Sequence, residues 1–151
     1  KNIIYMTSPI YTYKKLNYLY NVQDTFTCGI KLDGWEAKAL QHHLGKIDIA
    51  YCIFKNDQFY LINTIIKPLS IHNIDNVNES RDRILLLNKN ELIKIKSQLN
   101  LKGYTCVPTK LYRNNHNLWK VDIAIVTGKK LYDHREQLKK RDLDREIKNN
   151  L

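Results

Sequence analysis

Residues 104–127, YTCVPTKLYRNNHNLWKVDIAIVT, decide the class of fold. They contain two runs rich in Thr, Val, Ile and aromatic residues, Tyr104–Arg113 and 118–127, and this composition is typical of β-strands. The polar residues 114–117 between the runs predict a turn, so the two strands should form an antiparallel hairpin. Pro108 has no backbone N–H to donate, which places the first strand at a sheet edge or at a bulge.

Upstream of this hairpin, the same kind of composition predicts four more strands. In the second of them, every other residue is apolar or aromatic, which is the period of two expected of a strand. Asn56 and Asp57 stand between the second and third, where they predict a hairpin turn. The four predicted strands are residues 24–32, 47–53, 58–66 and 83–87.

Two helices are predicted between the strands. Asp33 is followed three residues later by Glu36, a capping-box pattern that begins a helix, and Gly45 is a natural stop. Asn88 and Glu91 repeat the same pattern at the start of the second helix. This second helix carries an apolar stripe at helical spacing and then meets a glycine: Leu92, Ile95, Leu99 and Gly103.

These elements predict a mainly β fold with accessory helices. About six strands suit an antiparallel barrel or a half-open sheet, and an OB-like barrel is one known solution that strand counting alone does not single out. Residues 1–127 should form this domain together with an amino-terminal arm. Residues 128–151 hold eight Lys or Arg against five Asp or Glu with few large apolar side chains, so we expect a basic tail that is disordered alone or folds on a partner.

Charge and cysteine content narrow the classes of function. The formal net charge of +10 and the pI of about 9.5 favour polyanionic partners, although an ordinary basic protein has a similar composition. Cys28, Cys52 and Cys106 form no Cys-x-x-Cys pair, so we expect no metal site, no cofactor and no disulfide framework. No apolar run reaches the ~20 residues of a membrane helix. The sequence also has no Asp/Glu cluster of the kind that a nuclease uses to bind metal, and the adjacent His42 and His43 would point in different directions on a helix, which argues against an enzyme.

The strongest motif opens the basic tail. Residues 128–135 read GKKLYDHR and residues 139–142 read KKRD. Lysine and arginine at this density suit phosphate contact, and a tyrosine among them could stack on an unpaired base. A solvated charged tail that contacts nothing is the alternative that the residues alone leave open.

Four blocks in order resemble the small protein B (SmpB) family. The tail motif resembles the signature that opens the family's carboxy-terminal tail, and GWEAKAL at 34–40 resembles its Gly-x-Glu-Val-Lys-Ser-Leu helix. RDRILLLN at 81–88 resembles its Arg-x-Arg-Lys-Leu-Leu-Leu strand, and GYTCVP at 103–108 resembles its Gly-x-Thr-x-Val-Pro segment. The resemblance covers roughly residues 24–142.

The resemblance implies a function in rescuing stalled ribosomes. It implies an OB-type barrel that grips the tRNA-like domain of transfer-messenger RNA (tmRNA, SsrA RNA), and a tail that enters the decoding centre of the small subunit. The expected RNA-binding residues are Lys14, Lys15, Thr27, Glu36, Lys38, Arg81, Arg83, Leu86, Asn88 and Lys120. The expected ribosome-binding residues of the tail are Gly128, Lys129, Lys130, Tyr132, Asp133, His134, Arg135, Lys139, Lys140 and Arg141.

Alternatives remain open at several positions. Thr27 stands where the family has a glutamate that bears on RNA binding, and His134 replaces a lysine. Glu36 could cap a helix or hold an arginine, and Leu86 could belong to the core. A generic OB-fold RNA-binding or ribosomal protein is the rival function, and we expect a monomer in either case.

Source and compartment are inferred from bulk features. Abundant Asn, Ile, Lys and Tyr indicate an AT-rich genome, and the chain begins at Lys1. Together with a bacterial type of function, these features favour an upstream segment removed by cleavage and an organelle of bacterial descent, such as the apicomplexan plastid (apicoplast). A bacterial cytoplasm is the alternative.

Overall fold

The computed structural model describes residues 8–69 and 77–129. Within these residues nine strands and three helices follow one another, and the prediction of a mainly β fold with accessory helices is confirmed. The strands are β1 (Tyr11–Thr12), β2 (Tyr20–Ile30), β3 (Gly45–Lys46), β4 (Tyr51–Lys55), β5 (Gln58–Ile62), β6 (Ile65–Ile66), β7 (Arg83–Leu86), β8 (Tyr104–Arg113) and β9 (Trp119–Gly128). The helices are α1 (Leu16–Leu19), α2 (Gly34–Gln41) and α3 (Lys89–Leu99).

Seven of the strands form one antiparallel sheet in the order β1-β8-β4-β5-β7-β2-β9, and β3 pairs with β6 separately. Strand β8 also pairs with β9, so the hydrogen-bonded neighbours from β8 through β4, β5, β7, β2 and β9 lead back to β8. The predicted hairpin is confirmed, because β8 and β9 pair from Tyr104 opposite Thr127 to Arg113 opposite Trp119. Their register shifts between Pro108 and Lys110, which confirms the bulge interpretation of the proline.

Both predicted helix starts are confirmed. Asp33 and Glu36 form a capping box at the start of α2, and Asn88 and Glu91 form another at the start of α3. The Asn88 side chain accepts a 2.8 Å hydrogen bond from the backbone N–H of Glu91. These boxes satisfy backbone N–H groups that have no partner inside a helix, and they fix where each helix leaves its strand.

The strand predicted at residues 47–53 is wrong in its first half, since β4 begins only at Tyr51. The backbone N–H of Ala50 donates to the carbonyl of Ile47 at 3.1 Å, so these residues make a turn. Ile47 is buried and Ile49 is exposed in that turn, which imitates the alternation of a strand. Asn56 and Asp57 both have positive φ, and this confirms the predicted tight hairpin turn between β4 and β5.

The core lies between the inner faces of the strands and the two longer helices. Cys28, Cys52 and Cys106 are buried there as free thiols, and Cys52 stands opposite Cys106 across β4 and β8. Burial raises the pKa of the Cys28 thiol, so it stays neutral and packs as a small apolar group. No helix among the described residues has both the length and the apolar character to span a bilayer.

A buried ion pair joins α2 to β7. The guanidinium of Arg83 donates to the Glu36 carboxylate at 2.7 Å and to the carbonyl of Thr64 at 2.5 Å, and both charged side chains are fully buried. Arg81 adds a second guanidinium, whose Nε donates to the same carboxylate at 3.0 Å. The pair thus has the additional hydrogen bonds that a buried charge requires.

The balance of these contacts sets the protonation of Glu36. Burial alone would raise the pKa of Glu36, but the hydrogen bonds from Arg81 and the Asp33 N–H, with the charge and hydrogen bond of Arg83, lower it. A carboxylate with a lowered pKa in the folded state contributes stability above its unfolded pKa of about 4.3, and loses it as the pH falls.

We expect Glu36→Gln to destabilise the fold by roughly 3–5 kcal/mol at pH 7, because it leaves Arg83 buried without its counter-charge. Urea unfolding measures this, with Glu79→Gln as the matched control on an exposed side chain. The gap between wild type and Glu36→Gln should shrink as the pH falls below about 4.3, the pKa of an unfolded glutamate, towards the lowered pKa of the folded carboxylate. Equal stability of the two proteins at pH 7 would contradict this account.

Candidate nucleic-acid interface

One row of residues crosses four strands on the outside of the sheet. Leu86 on β7 stands opposite Gly29 on β2, and Gly29 stands opposite Lys120 on β9. Lys120 in turn stands opposite Tyr112 on β8. Residues directly opposite each other in an antiparallel pair point to the same face of the sheet, so this row is continuous.

A second row lies two residues along the same strands. Thr27 on β2 stands opposite Asp122 on β9, and Asp122 stands opposite Lys110 on β8. Because side chains alternate with a period of two, this row shares the face of the first. We name the combined surface the outer face, defined by seven residues: Thr27, Gly29, Leu86, Lys110, Tyr112, Lys120 and Asp122.

Burial confirms which way each strand faces. The neighbours Cys28, Leu85, Leu111 and Val121 are at most 3% exposed and belong to the core. Leu86, by contrast, is 48% exposed. The alternative that placed Leu86 in the core is therefore wrong, and a large apolar side chain on the outer face is left open to a partner.

Gly29 allows the strands to approach closely beside Leu86. A Cβ atom at position 29 would lie 3.2 Å from the Cβ of Leu86, closer than side chains normally pack. Next to this contact is a depression of about 270 Å³ whose lining includes Leu86, Leu118, Trp119 and Lys120. The outer face thus offers an apolar and aromatic surface next to an ammonium group, which suits the sugar and base surfaces of a nucleic acid.

A hydrogen-bond network orders the second row. The hydroxyls of Thr27 and Tyr112 each donate to Oδ1 of Asp122 at 3.0 Å. Burial, followed by the hydrogen bond to the Asp122 carboxylate and its charge, raises the pKa of Tyr112, so its hydroxyl stays a donor. Thr27, Asp122 and Lys110 line a polar depression of about 480 Å³.

Two more expected RNA-binding residues lie near the outer face. Asn88 comes two residues after Leu86 and caps α3. Its side-chain oxygen already accepts a hydrogen bond from the backbone N–H of Glu91. Lys38 is exposed on the last turn of α2. Another residue of that helix, Ala37, lines the depression beside Leu86 and Lys120.

Lys14 and Lys15 lie elsewhere, in the exposed turn before α1. They line a separate depression of about 460 Å³ with Asp48 and Ile49. Lys129 contacts α1, since its backbone N–H donates a 2.8 Å hydrogen bond to the carbonyl of Leu19. Gly128 ends β9 just before it, so the start of the basic tail lies against α1.

Two expected RNA contacts, Glu36 and Arg83, require correction, and a third, Arg81, is already engaged within the protein. Glu36 and Arg83 are 0% exposed, so neither can touch RNA in this structure. Arg83 begins β7, as the predicted strand 83–87 has it, and its position in the strand points it inward with Leu85. Arg81 is partly exposed, but its guanidinium is engaged by Glu36 and by the carbonyls of Lys31 and Asp82. These side chains position β7 and do not offer a free charge.

The remaining tail positions lie outside the described residues. They are Lys130, Tyr132, Asp133, His134, Arg135, Lys139, Lys140 and Arg141.

Sequence reasoning overlooked four members of the outer face: Gly29, Lys110, Tyr112 and Asp122. A signal was present, because Gly29 and Asp122 each lie two residues from Thr27 or Lys120 on the same strand, and Tyr112 stands opposite Lys120 in the hairpin. Lys110 lies two residues from Tyr112 on β8. What was missing was the pairing register, including the bulge after Pro108, which fixes which residues stand opposite one another.

The fold and the outer face together define a class, that of small basic β proteins with an exposed sheet surface suited to RNA. A family model described as SmpB protein matches residues 10–151, and the chain belongs to the SmpB family. This confirms the family resemblance.

Relatives and a solved structure agree with this membership. The chain is 42% identical to the SsrA-binding protein of Fervidobacterium nodosum over 139 residues, which are 92% of this chain and 93% of the relative. It is 40% identical to the SsrA-binding protein of Malacoplasma penetrans, covering 91% and 94% of the two chains. A chain in the structure described as "tmRNA-SmpB: a journey to the center of the bacterial ribosome" superimposes with a TM-score of 0.66 at 34% identity, covering 82% of this chain and 86% of that one.

We expect Leu86→Asp to weaken RNA binding at least about tenfold, near 1.4 kcal/mol, because it places a negative charge on an exposed apolar contact. The circular dichroism spectrum should stay that of the folded protein. Leu85→Asp is the matched control on the other side of the same strand, and it should unfold the protein by burying an unpaired charge. Unfolding of Leu86→Asp, or unchanged RNA affinity, would contradict the assignment.

Proposed function

We propose that this protein binds the tRNA-like domain of tmRNA and delivers it to stalled ribosomes. The observation that carries the proposal is the exposed Leu86, which shares a depression and a sheet face with Lys120 on the side away from the core, in a chain of the SmpB family. The names of its relatives, SsrA-binding proteins, indicate the RNA partner. The protein acts by binding, with no catalytic step and as a monomer.

The chemistry of the outer face supports an RNA with structure and exposed sugars. Lys110 and Lys120 can each neutralise a phosphate, and Leu86 and Trp119 offer apolar surface to a ribose or an unstacked base. Structured RNA is recognised mainly by shape, phosphates and 2′-hydroxyls. A pleated sheet face with rows of alternating character can follow such a backbone without reading a long sequence.

The basic tail supports the second half of the proposal. Strand β9 contributes Lys120 and Asp122 to the outer face and then runs to Gly128, where the tail begins. A tail with eight Lys or Arg can enter an RNA-walled channel. Binding tmRNA and reaching the ribosome are thus assigned to consecutive parts of one polypeptide.

The closed order of strand pairings supports an OB-like barrel. Six strands, β8, β4, β5, β7, β2 and β9, are linked so that the last pairs with the first. We assign residues 1–127 to this domain with its amino-terminal arm, and residues 128–151 to the tail. The relatives are bacterial proteins, and we place this one in an organelle of bacterial descent on the strength of its composition, with a bacterial cytoplasm as the alternative.

We expect the protein to bind a tRNA-like tmRNA fragment more tightly than an ordinary tRNA at ~150 mM salt, the physiological regime. Competition in a filter-binding or fluorescence-anisotropy assay measures the preference. Each phosphate contacted should make the slope of log affinity against log salt more negative by about 0.7–0.9. Equal affinity for both RNAs would favour the rival, a generic OB-fold RNA binder.

Removing residues 128–151 should leave affinity for the tmRNA fragment within about threefold, or ~0.7 kcal/mol, because the outer face remains. The same truncation should abolish peptide tagging on ribosomes stalled on truncated message, since the tail supplies the charge that suits the message channel. Tagging at the full-length rate would rule out the role of the tail. Loss of RNA binding as well would show that the two functions are not separated along the chain.

A further inference from the structure

A carboxylate stands in the middle of the outer face. Asp122 lies on β9 two residues after Lys120 and directly opposite Lys110 and Thr27 on its two neighbouring strands. Resting on the proposed function, we propose that Asp122 is a specificity-determining contact, whose carboxylate accepts a hydrogen bond from a donor group of the RNA.

Two hydroxyl groups hold this carboxylate in place. Thr27 and Tyr112, from the strands on either side, both donate to Oδ1 at 3.0 Å. The two donors use one oxygen and fix the plane of the carboxylate, while neither engages Oδ2. A group oriented in advance loses little side-chain entropy on binding, so an acceptor held this way suits recognition.

The two lysines on this face do not neutralise the carboxylate. Among the described residues, the ion pairs involve Asp24, Asp33, Glu36 and Asp82, and none involves Asp122. Lys110 and Lys120 are therefore left to phosphates, and the half-buried Asp122 lies at the surface without a cationic partner among the described residues. A negative charge at this position is unfavourable for general attraction to RNA, so a compensating contact is needed to explain its presence.

Only some groups of RNA can satisfy such an acceptor. Phosphate oxygens, base carbonyls and ring nitrogens without hydrogen are acceptors, and a carboxylate repels them. The donors of RNA are the ribose 2′-hydroxyl and the amino and imino N–H groups of bases. The contact thus discriminates between RNA positions that present a donor and those that present a phosphate.

Asp122→Asn tests the proposal because the two possibilities predict opposite changes in RNA affinity. Losing a contact to an RNA donor should lower the affinity, whereas removing a negative charge that makes no contact should leave it equal or raise it. Asparagine keeps an oxygen that Thr27 and Tyr112 can donate to, and it removes the charge. If the carboxylate contacts an RNA donor, affinity for the tRNA-like tmRNA fragment should fall about tenfold, as for a hydrogen bond to a charged group. Affinity for an unrelated duplex RNA should stay equal or increase, since the protein becomes more basic.

Asp57→Asn is the matched control. It removes the same charge from the exposed turn between β4 and β5, where asparagine tolerates the positive φ, and it should change the affinity for both RNAs alike. Circular dichroism and the urea midpoint of Asp122→Asn should match those of the wild type. Unchanged or tighter binding of Asp122→Asn to the tmRNA fragment would overturn the proposal.

Modified RNAs identify the donor. Fragments with 2′-deoxy substitutions at single positions remove a ribose donor, and inosine in place of guanosine removes a base amino group. At the contacted position, the modification should cost wild-type affinity but have no further effect on Asp122→Asn. Additive effects at every position would count against Asp122 as the contact. A wild-type protein without preference for the tmRNA fragment would instead refute the proposed function itself.

Discussion

The carboxylate of Glu36 binds two guanidinium groups, and the position of the whole outer face depends on this contact. A buried ion pair adds little stability compared with apolar residues of the same size, because both ions lose their hydration. Its effect on geometry is larger, since each partner becomes costly to expose or to separate. Arg83 must point into the core to reach Glu36, so Leu85 follows it inward and Leu86 turns outward. The same carboxylate closes the capping box of α2, which ties that helix to β7.

Side chains alternate between the two faces along each strand, so the outward direction of Leu86 fixes which residues of the neighbouring strands also face outward. Once Leu86 faces outward, its partner Gly29 must do so, and so must Lys120 and Tyr112 along the row. A slip of β9 by one residue against β2 and β8 would send Lys120 into the core and Val121 to the surface. The cost of burying a lysine therefore favours the observed register, and residues that we propose to bind RNA also help to define the fold.

The sequence was sufficient for the elements whose chemistry is local. Capping boxes at Asp33 and Asn88, the turn at Asn56 and the bulge at Pro108 all depend on a few neighbouring residues, and the structure confirms them. The strand prediction was wrong at residues 47–50, because their turn places an apolar residue at every second position, Ile47 buried and Ile49 exposed, as a strand does. The burial of Glu36 and Arg83 could not be predicted, since it depends on a pairing between residues 47 positions apart.

The candidate site also depends on contacts between distant residues, which the sequence alone could not predict. Leu86 and Lys120 were identified from a family resemblance, and their common face required the sheet pairing. Asp122 was overlooked because a carboxylate among lysines usually indicates a solvated surface. Its two hydroxyl partners come from β2 and β8, and Thr27 lies 95 positions from Asp122, so only the folded structure brings all three residues together. Positive charge draws a basic protein to any RNA, whereas an oriented acceptor favours one arrangement of donors. Affinity and selectivity can thus reside in different side chains of the same two rows.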